Sequence, residues 1–130
     1  IVNEFPLPSW YLKKQGIYID LKENMIKNIM SYTTFGGSFF RPLLKTYMKY
    51  YTNKAFKKYG SQVMFSIGLI GPGILKKEKF YSDIKEFKED LEMINNSGAN
   101  RVAIYTIEAL LNRENPVEWL ELIKSYVSSR

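Results

Sequence analysis

Two carboxylates, Asp20 and Glu108, are the residues best suited to acid–base chemistry. Asp20 lies close to the carboxyl end of one short apolar run that predicts a strand, GIYIDL, and Glu108 directly follows another, VAIYTI. In one cleft, a buried carboxyl with a raised pKa could act as the acid and the other as the base, with Tyr18 and Tyr105 beside them. The alternative is that Asp20 caps a following helix and Glu108 is solvated.

Two residue types that usually carry catalysis are absent, since the chain has no histidine and no cysteine. A zinc site built on these ligands, a Ser-His-Asp triad and a Cys-His dyad are therefore excluded within this chain. Acid–base chemistry has to use Asp, Glu, Lys or Tyr. No motif points to a metal or a cofactor, and we expect neither.

A second candidate is the turn Gly71-Pro72-Gly73, with Lys76, Lys77 and Lys79 behind it. Backbone N–H groups of a glycine-rich turn can approach an anion, so Gly71 and Gly73 are candidate ligand-binding residues. The spacing matches neither a P-loop nor a dinucleotide fingerprint. A plain turn at the end of a strand is the alternative.

A third candidate is the basic stretch 41–58, in which lysines alternate with Tyr47, Tyr50, Tyr51 and Phe56. The candidate anion-binding residues are Lys45, Lys49, Lys54, Lys57 and Lys58. Aromatic rings can stack on bases while lysines neutralise phosphates, which predicts weak, non-specific binding of anions or nucleic acid. The alternative is a solvated amphipathic helix with tyrosines at the edge of the core.

The charge distribution supports placing any anionic partner in the first half. Net charge is +6; residues 1–60 hold ten Lys/Arg against three Asp/Glu, and residues 61–130 hold nine against ten. No apolar run approaches the ~20 residues of a membrane span, and no signal peptide is visible. We therefore expect a cytoplasmic protein.

The elements that must position these residues are organised around a central strand at 63–70, a Val-, Ile- and Phe-rich run that ends in Gly-Pro-Gly. Further strands are predicted at 16–21 and 102–107. Helices are predicted at 22–32, 39–59, 83–96 and from Asn115-Pro116 onward. Residues 1–15 are predicted to be an extended entry segment, because Pro6 and Pro8 disfavour helix and central strand.

This β-α-α-β-α-β-α order predicts an α/β fold with parallel strands, because strands joined through helices pair in parallel. The 130 residues suit one domain. The chain begins at Ile1 without an initiator Met, and we expect a piece of a longer protein whose remainder is its partner. Either a partial barrel or an open three-layer sheet fits the pattern.

From Val63 onward the chain resembles the last units of a (β/α)8 barrel. The resemblance rests on VMFSIGLIGPG, the helix around DIKEFKEDLEMINNSGAN, then RVAIYTIEALL and the helix around NPVEWLELIKSY. The order NNSGAN, strand and carboxylate is similar to barrel glycosidases and related hydrolases. The resemblance implies a hydrolase of a sugar-like substrate with Asp20 and Glu108 as acid–base groups. It covers about half the chain, so a doubly wound sheet remains open.

Overall fold

The part of the chain that the structure describes contains one parallel β-sheet of four strands. A computed structural model describes residues 1–72 and 78–128. The strands lie side by side in chain order, so the α/β fold with parallel strands is confirmed. They are β1 (Val2–Glu4), β2 (Lys27–Ser31), β3 (Val63–Ile67) and β4 (Val102–Ile104).

Helices join each strand to the next and continue beyond the last. They are α1 (Ser9–Lys14), α2 (Gly37–Tyr59), α3 (Ile84–Asn96), α4 (Ile107–Leu111) and α5 (Pro116–Ser128). Helix α3 contacts both α2 and α5, so these three helices form one layer. The core lies between this layer and the sheet, where Phe65 of β3 packs in one cluster with Met48 of α2 and Leu91 of α3.

The amino-terminal quarter differs most from the predicted order. The predicted strand at 16–21 and helix at 22–32 are wrong, since strand β2 occupies Lys27–Ser31 and residues 16–26 form the connection before it. The entry segment also contains β1 and α1. The two prolines lie between these elements rather than within them, so they do not prevent either one.

The apolar pattern of the sequence does not indicate strand β2. All five of its positions are buried or half-buried, but three of them hold polar residues. Lys27, Asn28 and Ser31 are each at most 2% exposed. The Lys27 ammonium pairs with Glu4, and Asn28 hydrogen-bonds Asn3 and Ser66. These partners come from β1 and β3, so tertiary contacts compensate for burying polar groups that a local apolar pattern cannot reveal.

The second half follows the sequence more closely. Helix α3 begins after Asp83, whose carboxylate accepts the Glu86 backbone N–H, while the Glu86 side chain accepts the Ser82 N–H. The Asp83 side chain therefore caps the helix, and the Glu86 side chain binds the N–H of the residue before the cap. Helix α5 begins at Pro116, as predicted.

The strands end sooner than predicted, at Ile67 and Ile104 rather than at 70 and 107. After β3, Gly68 lies so close to Thr34 that a Cβ there would be 2.7 Å from Thr34 Oγ1. After β4, Thr106 caps the short helix α4 by accepting the Ala109 N–H, and the sequence analysis did not predict this helix. Glu108 therefore lies in the first turn of a helix.

Candidate functional site

The two predicted catalytic carboxylates lie at opposite ends of the parallel strands, which we call the amino edge and the carboxyl edge of the sheet. Asp20 is exposed in the connection that enters the amino end of β2. That connection is held there by Tyr18, whose ring lies 5.1 Å from the Lys27 Nζ, and by Gln62, which hydrogen-bonds the backbone of 22–25. Glu108 is exposed beyond the carboxyl end of β4. The arrangement does not favour acid–base chemistry by this pair.

The predicted ligand-binding residues divide between the same two edges. Gly71 and Tyr105 come together at the carboxyl edge, where the Ile70 N–H donates to the Tyr105 carbonyl at 3.0 Å. A Cβ at Gly71 would lie 2.9 Å from Ala109 Cβ, so this glycine permits close packing against α4. Tyr18 lies with Asp20 at the amino edge. Gly73, Lys76 and Lys77 lie outside the described residues.

A depression of about 570 Å³ opens at the carboxyl edge, where Gly71-Pro72 and residues 80–84 face the segment from α4 to the start of α5. Its described cation, Arg113, donates to the Tyr81 carbonyl, and its guanidinium lies over the Phe80 and Trp119 rings at 5.1 and 4.6 Å. Burial lowers the pKa of Arg113. The lining carboxylates are Asp83, Glu114 and Glu118. Among the described lining residues these acids outnumber the arginine, so this set of side chains does not favour an anion.

A buried carboxylate, Asp90 of α3, connects α2 to the core. It accepts hydrogen bonds from Thr33 and from Tyr81 (2.8 Å), and the Arg41 guanidinium lies 3.3 Å from its other oxygen. Burial raises the pKa of Asp90, against the hydrogen bonds and the positive charge of Arg41. Because its partners are all fixed protein groups, the arrangement favours a structural role.

The cations in the first half of α2 are neutralised by α3. Arg41 pairs with Glu86, Glu89 and Asp90, and the Lys45 Nζ lies 2.7 Å from Glu89. These contacts lower the pKa of Glu89, chiefly through the hydrogen bond from Lys45. Lys45, predicted to bind anions, is thus engaged within the fold.

The second half of α2 has a different electrostatic environment. Its four lysines, Lys49, Lys54, Lys57 and Lys58, are exposed and form no ion pair within residues 1–72 and 78–128. The helix itself contains no acidic residue. Lys54 and Lys57 line a shallow depression of about 350 Å³ with Tyr50 and Asn53. Four of the five predicted anion-binding lysines therefore lie together on one helix segment.

A cluster of lysines and tyrosines lies at the carboxyl end of this segment, around the fully buried ammonium of Lys27. Lys27 Nζ lies 2.6 Å from Glu4 and 3.3 Å from the Tyr59 hydroxyl. Lys58 Nζ lies 4.8 Å from the Tyr59 ring centre and 5.9 Å from that of Tyr18. We call these five residues the Lys–Tyr cluster.

Contacts within the Lys–Tyr cluster shift the pKa values of its own residues. Burial lowers the pKa of Lys27, but Glu4 and Tyr59 outweigh it, so the net shift is upward. Burial alone would raise the pKa of Tyr59, yet hydrogen bonds from Lys58 and Lys27 lower it below the ordinary value. Burial raises the pKa of the neighbouring Tyr51. Tyr59 is therefore a tyrosine at which negative charge is stabilised.

A small cavity of about 80 Å³ connects the Lys–Tyr cluster to the basic surface. It is lined by Glu4, Tyr51, Lys58 and Tyr59, and by Lys54, which also lines the shallow depression. The sequence pattern indicates Lys54 and Lys58, but not Glu4, Lys27 or Tyr59, as functional residues. The pairing of Glu4 with Lys27 depends on the contact between β1 and β2, for which the local pattern gave no signal.

Neither metal binding nor membrane crossing finds support in the part of the chain that the structure describes. Its acidic residues form no group of three or more that could hold a metal ion. None of its helices combines the length and apolarity needed to cross a bilayer.

Comparison with protein-family models, curated proteins and solved structures found no match to this chain. The resemblance of residues 63–128 to barrel units therefore stays a prediction. The surface formed by the second half of α2 has the geometry and charge that best support a function.

Proposed function

We propose that this chain is a binding module that holds an anionic partner on the second half of α2. The observation that carries the proposal is the contrast in ion pairing along this helix. Arg41 and Lys45 are neutralised by α3, whereas Lys49, Lys54, Lys57 and Lys58 have no acidic partner among the described residues. Unpaired cations on one surface attract anions over distances of about a Debye length.

The side chains between these lysines support direct contact with a bound partner, in addition to long-range attraction by the positive charge. Tyr50 is 61% exposed, and Lys54 Nζ lies 5.7 Å from its ring centre. Tyr50 therefore offers an amphipathic ring next to positive charge. Lys54 also reaches the small cavity beside the Lys–Tyr cluster, so the basic surface continues from the depression into the fold.

The test is binding of heparin, a polyanion probe, as a function of salt. We expect affinity to fall linearly on a double-logarithmic plot against salt, because binding releases counterions. The double variant Lys54→Glu/Lys57→Glu is expected to weaken binding and to reduce the salt slope by about 2, roughly one per lysine lost.

The matched control is Lys88→Glu/Lys124→Glu, which makes the same change in net charge on α3 and α5. Both control lysines are exposed and lie near acidic partners, Glu92 and Glu121. We expect this variant to retain most of the affinity. Equal losses in the two double variants would mean that only net charge matters, and the proposal would be wrong.

A further inference from the structure

The outward face of α2 carries exposed apolar side chains as well as lysines. Phe39, Leu43, Tyr50 and Lys57 are spaced by four, seven and seven residues and therefore lie along one face of the helix. The exposed fractions of Phe39 and Leu43 are 86% and 70%. The adjacent Phe40 is 56% exposed and contacts Phe39 edge to face. We call Phe39, Phe40 and Leu43 the apolar end.

This face combines two properties that a bilayer surface would satisfy together. The apolar end supplies side chains that can enter the acyl boundary, and the basic half supplies lysines for anionic headgroups. Tyr50, an amphipathic ring suited to the headgroup level, lies between them. A soluble polyanion would neutralise the lysines but would leave Phe39 and Leu43 in water.

From this combination we infer that the anionic partner of α2 is the surface of a membrane containing anionic lipid. The inference rests on the proposed function, because the lysines attract the surface before the apolar end inserts. The helix lies along the headgroups, with the face of Phe39 and Leu43 toward the lipid. This orientation leaves the opposite face, which includes Met48 and Ala55, in contact with the core.

The charge complementarity of the whole helix supports a membrane over a second copy of this chain. Arg41 and Lys45 are neutralised by α3, but the other four cations of helix α2 have no ion pair among the described residues, and the helix contains no acidic residue, so two such faces would repel each other in a symmetric dimer. Anionic lipid instead attracts each basic residue near its surface. A membrane also requires no shape complementarity from side chains as exposed as Phe39.

The experiment measures sedimentation of the protein with vesicles of phosphatidylcholine, with and without phosphatidylserine. We expect binding that requires phosphatidylserine and weakens with salt. Phe39→Ser/Leu43→Ser is expected to reduce partitioning by about tenfold or more, because each change removes apolar area that leaves water on binding. Ile107→Ser/Leu111→Ser is the matched control, since Ile107 and Leu111 are 64% and 59% exposed on α4; it is expected to bind like the unchanged protein.

Insertion is tested separately by Phe39→Trp with vesicles that contain brominated lipid. We expect the added fluorescence to be quenched, whereas the fluorescence added by Leu111→Trp on α4 is not. Absence of quenching at position 39 would overturn the inference, even if the vesicles still sediment the protein.

Several outcomes separate this inference from the proposed function. Heparin binding that depends on Lys54 and Lys57, together with no vesicle binding, would overturn the membrane inference and leave the proposed function intact. Vesicle binding that is unaffected by Phe39→Ser/Leu43→Ser would also overturn the membrane inference. A dimer that becomes a monomer in this variant would show that a second copy covers the face. Loss of salt-dependent heparin binding would refute the proposed function itself.

Discussion

Both halves of α2 carry cations and no acidic residue, but they lie in different electrostatic environments. The first half holds Arg41 and Lys45, both paired with acids of α3. The second half holds four lysines that have no ion pair in the described parts of the chain. Positive charge in a sequence therefore does not identify a binding surface until the neighbouring elements are known.

The difference arises from how α3 distributes its acidic residues. Glu86, Glu89 and Asp90 lie in its first half, at spacings that put them on one side of the helix. The following turns contain one further acid, Glu92, which is 60% exposed and pairs with Lys88 of its own helix. The acids of α3 that contact α2 therefore all pair with cations of its first half.

The largest expected effect is the loss of stability in Arg41→Met. This change leaves the buried Asp90 carboxylate without its cation while it keeps much of the side-chain volume. Breaking a buried ion pair from one side costs about 3–5 kcal/mol. We expect the free energy of unfolding, measured in urea, to fall by about that amount.

The same change in the other half of the helix provides the control. Lys54→Met also removes one cation, but Lys54 is exposed and has no ion pair in residues 1–72 and 78–128. We expect its free energy of unfolding to change by less than ~0.5 kcal/mol. Similar losses for Arg41→Met and Lys54→Met would contradict the comparison.

A smaller effect, with a defined pH dependence, is expected for Glu89→Gln. The folded state lowers the pKa of Glu89 from its ordinary 4.5, so the unfolded state binds more protons between the two values. The stabilisation by Glu89 is therefore complete above the unfolded pKa and is lost as pH falls through the folded pKa. We expect unfolding in urea to show a deficit of about 1 kcal/mol at neutral pH that disappears in acid.

The control for this prediction is Glu92→Gln, the exposed acid on the same helix. No deficit above ~0.5 kcal/mol is expected, since exposed i,i+4 pairs contribute little. A deficit in Glu89→Gln that persists unchanged below the pKa of both states would show that the side chain stabilises the fold by packing rather than by its charge.

The smallest expected effect is a shift in the titration of Tyr59, without much change in stability at neutral pH. The tyrosine absorbance should show one ring ionising below the others, and Tyr59→Phe should remove that step. Removing the nearby ammonium in Lys58→Met should raise the pKa of Tyr59. Lys54→Met serves as the comparison; an equal shift in both variants would assign the effect to net charge.

Much of the fold could be predicted in segments where apolar periodicity and the residue types at the ends of an element indicate the same structure. The strand at Val63–Ile67, the apolar face of α3 and the start of α5 all follow from local patterns. The interpretation failed at β1 and β2, where a buried strand uses polar residues. It also placed Asp20 at the end of a strand, although that residue lies in a connection before one.

The candidate site shows the same division. The sequence by itself determined that α2 is a long basic helix, that it lacks acidic residues and that catalysis by histidine or cysteine is excluded. These are properties of composition and of short-range spacing, which any fold of this chain must retain.

Only the tertiary structure decided which cations remain available and which residues gather around Tyr59. The pairing of Lys45 with Glu89 joins residues 44 positions apart, and that of Lys27 with Glu4 joins residues 23 positions apart. Such contacts depend on strand order and on how neighbouring helices align. Because electrostatic energy depends on the distance between charges in space, a lysine beside α3 is neutralised by an acid, whereas the lysines farther along the helix have no ion pair among the described residues.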